Sequence, residues 1–135
     1  MDGVIIEKQG EFNNFPYVIS FCNLGHRCGY VGLPKGHKYY GLRESEIHLN
    51  CHGGITYANN ELLNIDAENT WWIGFDCGHY SDGIDIKALT EIFGASSVAK
   101  LQSIMSKEQF EYKCERIFMT LDDCEAECIN IIKQL

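Results

Sequence analysis

Residues 71–77, Trp71-Trp72-Ile73-Gly74-Phe75-Asp76-Cys77, carry the reading that decides the fold. Successive side chains of a strand point to opposite faces. Trp71, Ile73, Phe75 and Cys77 therefore share one face, and Trp72, Gly74 and Asp76 share the other. Gly74 has no side chain, which lets a neighbouring backbone or ligand approach closely. The polar turn Gly78-His79-Tyr80-Ser81-Asp82-Gly83 leaves the strand.

Upstream, Tyr17–Cys22 follows Pro16 and is β-rich, a second strand. Gly25–Pro34 is an extended segment broken by glycines, and Pro34-Lys35-Gly36-His37 turns the chain. Glu46–Cys51 alternates, with Ile47, Leu49 and Cys51 on one side and His48, Asn50 and His52 on the other. This pattern predicts a strand, and Ile55–Ala58 continues it after Gly53-Gly54. The polar stretch from Asn59 to Thr70 is expected to be a loop.

Downstream, Asp85–Phe93 and Ser96–Met105 carry helical spacing, with Gly94 as the stop between them. Phe110, Tyr112 and Cys114 alternate with Glu111, Lys113 and Glu115, which predicts a strand with one wet face. Thr120 and Asp123 have the spacing of a capping pair. A last helix follows, whose apolar stripe is Leu121, Cys124, Cys128, Ile131 or Ile132, and Leu135. The expected fold is α+β: a mostly antiparallel sheet with two or three helices, the C-terminal helix packed on the sheet. The 135 residues suit one core, so residues 1–135 are expected to form a single domain.

The formal net charge of −8 disfavours binding to a long nucleic acid. No stretch approaches the ~20 apolar residues of a membrane helix, and the first residues lack the basic and apolar regions of a secretory leader. The seven Cys, an odd number, fit a reduced cytoplasmic protein with buried thiols.

Three short segments hold the chemistry. In Asn50-Cys51-His52-Gly53-Gly54, a His ends a strand and two glycines can offer backbone N–H groups to an anion. The plain alternative is a hairpin turn with an exposed His. Phe75–Asp82 packs Asp76, His79 and Asp82 together, and loops at strand ends are where catalytic groups commonly sit. Asp–His pairing fixes a tautomer and supports acid–base work; alternatively Asp76 caps a turn. In Pro34–Lys38, Lys35 and His37 suit a phosphate, unless the segment is a solvated basic turn. No pair has the C-x₂-C or H-x₃-H spacing of a structural zinc site. A divalent metal held by His52, Asp76, His79 or Asp82 stays open. Tyr57, Trp72 and Tyr80 lie close in sequence to these polar groups and offer faces for a base.

Gly25–His37 (GHRCGYVGLPKGH), His52–Ala58 (HGGITYA) and Trp71–Asp82 (WWIGFDCGHYSD) together resemble the motifs of a family of small phage and bacterial proteins. The family pattern is close to GYVGVPKGH, then HGGLTY, then WWFGFDCAHxGD. The tail Thr120–Leu135 resembles its closing acidic helix. Gly78 stands where Ala is common and Ser81 where Gly is common, and neither change removes a titratable group. The resemblance points to His37, His52, Asp76, His79 and Asp82 as a set.

It implies a phage-type protein that engages a nucleotide-derived immune signal. The first expectation is hydrolysis of a cyclic nucleotide or ADP-ribose-type compound. His52 and His79 would be acid and base, or metal ligands, and Asp76 would orient one His. Lys35, His37 and the Gly53-Gly54 amides would hold phosphate, and Trp72 or Tyr80 would stack the base. The second expectation is a sponge that sequesters the signal, with a homo-oligomer as its expected form. The third is a protein-binding inhibitor of a host factor.

Overall fold

A computed structural model describes residues 3–135 and shows an α+β fold. The strands are β1 (Val4–Phe12), β2 (Phe15–Cys22), β3 (Arg27–Pro34), β4 (Tyr57–Asn59) and β5 (Thr70–Asp76). They form one sheet in the order β1-β2-β3-β5-β4, antiparallel at every pairing. Four helices follow: α1 (Ile86–Phe93), α2 (Ala95–Ile104), α3 (Lys107–Glu115) and α4 (Leu121–Lys133).

The alternation in β5 fixes the layering. Ile73, Phe75 and Cys77 are buried in the main core with Ile19, Val31 and Leu33. α4 covers this face through Cys124, Cys128, Ile131 and Ile132, as its stripe predicts. Thr120 and Asp123 form the expected capping box, so α4 starts at a fixed point. The opposite face of β5 carries Trp72, only 2% exposed, packed with Val18 and Leu62. The Tyr30 ring fills the space left by Gly74, where a Cβ would lie 2.5 Å from it.

Several expectations are corrected. β1 was not expected: Glu7, Lys8, Gln9, Gly10 and Glu11 interrupt its pattern, and its register slips between Ile6 and Lys8. Asn13 and Asn14 have φ of 50° and 67°, which suits the two-residue turn joining β1 to β2. Glu46–Cys51 is not a strand. A single 3-10 turn at Glu44–Glu46 leads into unpaired extended chain. The alternation there is still real: Ile47, Leu49 and Cys51 pack on the core while His48 and Asn50 face out. Only Tyr57–Asn59 of the next segment joins the sheet.

Phe110–Cys114 lies inside helix α3, not in a strand. Ser106 caps that helix by accepting from the Gln109 N–H, a local signal that outweighs a five-residue alternation. The described residues therefore hold four α-helices. Gly94, at φ +88°, separates α1 from α2 as expected. Among the described residues, no helix is long and apolar enough to cross a membrane.

Candidate functional site

The turn after β5 and the unpaired segment before β4 meet at a shared carboxylate. Asp82 is 5% exposed. Its Oδ1 lies 2.8 Å from His52 Nε2. Its Oδ2 lies 2.8 Å from His79 Nδ1 and also accepts the His79 backbone N–H at 3.0 Å. The two imidazoles stand edge to face, with centroids 5.4 Å apart, and are about one-third exposed. Burial pushes the Asp82 carboxyl up, but the His79 amide, the His79 ring and His52 outweigh it, so its pKa falls below the ordinary value.

Two helices hold this arrangement. The α4 side chains of Asn130 and Gln134 donate to the Asn50 carbonyl, and Gln134 accepts the Asn50 N–H. Glu127 accepts the His52 N–H at 3.2 Å. Glu127, Asn130 and Gln134 thus seat the strandless segment that delivers His52. On α3, Lys113 Nζ donates to the carbonyls of His79 and Asp82 at 2.8 and 3.0 Å, pinning the turn. Sequence reasoning missed all four. The spacing of Glu127, Asn130 and Gln134 along one edge of α4 was the available signal. Lys113 had none once its segment was taken as a strand.

Gly53 has a steric task. Its φ is +71°, and a Cβ there would lie 2.3 Å from His79 Cε1. Glycine therefore lets the His79 ring close against the His52 turn. The expected pair of free amides is not presented, because the Gly54 N–H donates to the Cys51 carbonyl at 3.0 Å.

Asp76 does what its alternative reading described. Its Oδ1 caps the turn by accepting the Gly78 N–H at 3.0 Å, and its Oδ2 accepts from Thr56 Oγ1. It stands 3.7 Å from His79 Nε2, so Asp82, not Asp76, orients the imidazoles.

The remaining candidates fall elsewhere or change role. Pro34 pairs with Thr70, whereas Cys28 pairs with Asp76. Lys35 and His37 therefore lie past the far end of the ladder, about 20 Å from Asp76 at the usual strand rise. His37 packs against Phe15 and Tyr39 there, and its Nδ1 accepts the Tyr39 N–H. Trp72 is a core residue and cannot stack a base. Tyr57 packs edge-on against Tyr30 and its hydroxyl donates to the Glu61 carbonyl. Tyr80, next to His79, is 70% exposed and stacks on Tyr112, with centroids 5.1 Å apart.

Two chemical capacities follow. A carboxylate accepting one ring N–H from each imidazole leaves His52 Nδ1 and His79 Nε2 as basic nitrogens. The same three residues also offer donor atoms within 4.8 Å of one another, close enough to hold a metal ion. No family model, curated protein or solved structure matches this chain, so the resemblance of its motifs stands as an expectation.

Proposed function

We propose that the protein hydrolyses a small nucleotide-derived phosphate compound, a cyclic nucleotide or an ADP-ribose-type molecule, at the His52–Asp82–His79 cluster. One observation carries this reading: a buried carboxylate placed between two imidazoles, each about one-third exposed, at 2.8 Å from each. Packing alone has no use for that arrangement. One imidazole would take the proton of the attacking water, and the other would protonate the leaving oxygen. Tyr80 supplies the exposed aromatic face beside the cluster. Removing such a signal would counter a host defence.

Charge sharpens the proposal. Asp82 lies within the cluster and Asp76 beside it, and the nearby Lys113 ammonium already donates to two backbone carbonyls. A phosphate arriving there needs a further positive charge. A divalent cation held by His52, His79 and Asp82 would supply it; the two imidazoles would then serve as its ligands in place of acid and base, and two imidazoles with one carboxylate suit zinc better than magnesium. When bound, such an ion polarises a phosphoryl oxygen and lowers the pKa of a bound water.

The test incubates catalytic amounts of protein with cyclic nucleotides and ADP-ribose derivatives, with and without Zn²⁺ or Mn²⁺. The mixture is then heat-denatured and the supernatant analysed by chromatography. Linear or cleaved product in large excess over protein is the expected result, abolished in Asp82→Asn. Intact ligand released in a one-to-one ratio would establish a sponge and reject hydrolysis. No turnover and no retained ligand across the panel would reject the nucleotide reading.

A further inference from the structure

A second His cluster sits where β2 turns into β3, and the hydrolytic proposal makes no use of it. Cys22 Sγ lies 3.5 Å from His26 Nε2 and 3.6 Å from Nδ1. Cys28, two residues on along β3, is the other thiol near the ring. The ring is seated against Gly78, where a Cβ would lie 2.7 Å from His26 Cε1. It also lines a cavity of about 270 Å³ with Leu24, Ile84, Met105, Gln109 and Lys113. Both Cys22 and His26 are half-buried, and His26 opens on the cavity.

The five thiols away from the His26 ring lack this setting. Cys77, Cys124 and Cys128 are buried between α4 and the sheet. Cys51 is pushed up to about 11 by burial and Glu127, and the exposed Cys114 is pushed up by burial and its glutamate neighbours. For Cys22, burial pushes the thiol up, but the His26 bond and charge outweigh it and the net shift is downward. For His26, burial lowers the value, while bonds to Cys22 and Cys28 raise it to about 10. Lys113 lines the same cavity, with its ammonium bonded to the His79 and Asp82 carbonyls.

We propose that Cys22 and His26 form a thiolate–imidazolium pair, and that Cys22 is the site at which this protein exchanges with low-molecular-weight disulfides. The Cys22 thiolate attacks one sulfur of the incoming disulfide. A new S–S bond forms, the old one breaks, and the departing thiolate takes its proton from the His26 imidazolium. The products are a mixed disulfide on Cys22, one free thiol and a neutral His26. Because the ring rests on Gly78, one residue before His79, the adduct is placed to disturb the neighbouring turn. The proposal does not depend on the hydrolytic reading.

The test treats the full-length protein with glutathione disulfide near neutral pH, quenches with acid and maleimide, and locates the adduct by peptide mass spectrometry. Cys22 is expected to be modified before the other six cysteines. His26→Gln is expected to slow it by about tenfold near pH 7 and to restore a rate that climbs with pH. Another cysteine reacting first would overturn the proposal, as would a His26→Gln variant with unchanged rate and pH profile. If that variant fails to fold, the wild-type profile decides. A Cys22 rate rising about tenfold per pH unit from 6 to 8 describes an ordinary thiol and ends the proposal.

Discussion

At one end of the β3–β5 ladder Cys28 stands opposite Asp76; at the other, Pro34 stands opposite Thr70. Each end runs into a turn that sets a His among charged residues: Gly78–Asp82 at the first, Lys35–Lys38 at the second. At the first end a distant segment delivers His52, and Asp82 joins it to His79. At the second end His37 spends its Nδ1 on the Tyr39 N–H and its ring on Phe15 and Tyr39. Burial and then Lys38 lower its pKa. A histidine in a charged turn becomes a site only when another segment brings a polar group to it.

The largest way to strain this contrast is Arg27→Met. Arg27 donates to Glu7, to Asp85 and to the Met119 carbonyl, and its side chain is 6% exposed. Asp85 also caps α1 by accepting the Ala88 N–H. Removing the guanidinium leaves two shielded carboxylates unpaired, a loss of about 3–5 kcal/mol. Urea denaturation should show that loss, and a change under 1 kcal/mol would contradict the account. At the Thr70 end the ion pair is Arg43–Glu46, and it is exposed. Arg43→Ala should fall within the ~0–1 kcal/mol range of surface pairs.

Asp82→Asn comes next. It keeps the side-chain shape and removes the charge shared by both imidazoles. Zn²⁺ affinity by calorimetry should fall at least about 10–100-fold, the loss seen when even an outer partner of a ligating histidine is removed. The wild-type carboxyl is held below its ordinary 3.8 in the folded state. Its stabilisation is therefore present above that value and is lost as pH falls through the lower, folded one. Wild type should lose stability below about pH 4 faster than Asp82→Asn. Parallel pH profiles would show that the imidazoles do not hold Asp82 ionised.

Much of this was legible in the residues. The two faces of β5, the α4 stripe, the Thr120 cap and the Gly94 break rest on local periodicity and capping, and the fold keeps them. His52, His79 and Asp82 were legible as candidates, but their joining was not. It depends on α4 side chains reaching Asn50 and His52 across 75 to 84 positions of sequence. Alternation misled at Phe110–Cys114, where five residues cannot separate a strand from a helix whose Ser106 cap settles the matter. It misled at Glu46–Cys51 for another reason, since side chains of α4 supply there the bonds a ladder would have given. Trp72 shares a strand face with Asp76 as expected, but Leu62 of the preceding loop covers it.

Glycines at the two ends give a smaller and cleaner comparison. Gly53 has φ +71° and Gly36 has φ +95°, so Ala at either costs about 1–2 kcal/mol from the left-handed backbone. A Cβ at Gly36 meets nothing within 4 Å, whereas one at Gly53 collides with the His79 ring. Gly36→Ala should lower stability and leave Zn²⁺ affinity unchanged. Gly53→Ala should lower both. Equal metal affinity in the two variants would mean that the His79 ring has room to move without leaving Asp82.

The smallest expected effect is the most pointed, because it concerns residues that the motif marks and the fold sets aside. Lys35→Ala and His37→Ala lie past the Thr70 end of the ladder, about 20 Å from Asp76. At that distance the exposed Lys35 charge is screened at physiological salt, where the Debye length is about 8 Å. Neither substitution should change Zn²⁺ affinity or the turnover of a hydrolysed nucleotide by more than about twofold, since no screened or contact interaction links them to Asp82. A tenfold loss in Lys35→Ala would mean that the ligand spans the sheet, or that a second copy of the chain brings its Lys35 to this site. Measuring the Lys35→Ala effect across a protein dilution series separates these two, because only the second weakens as the copies part.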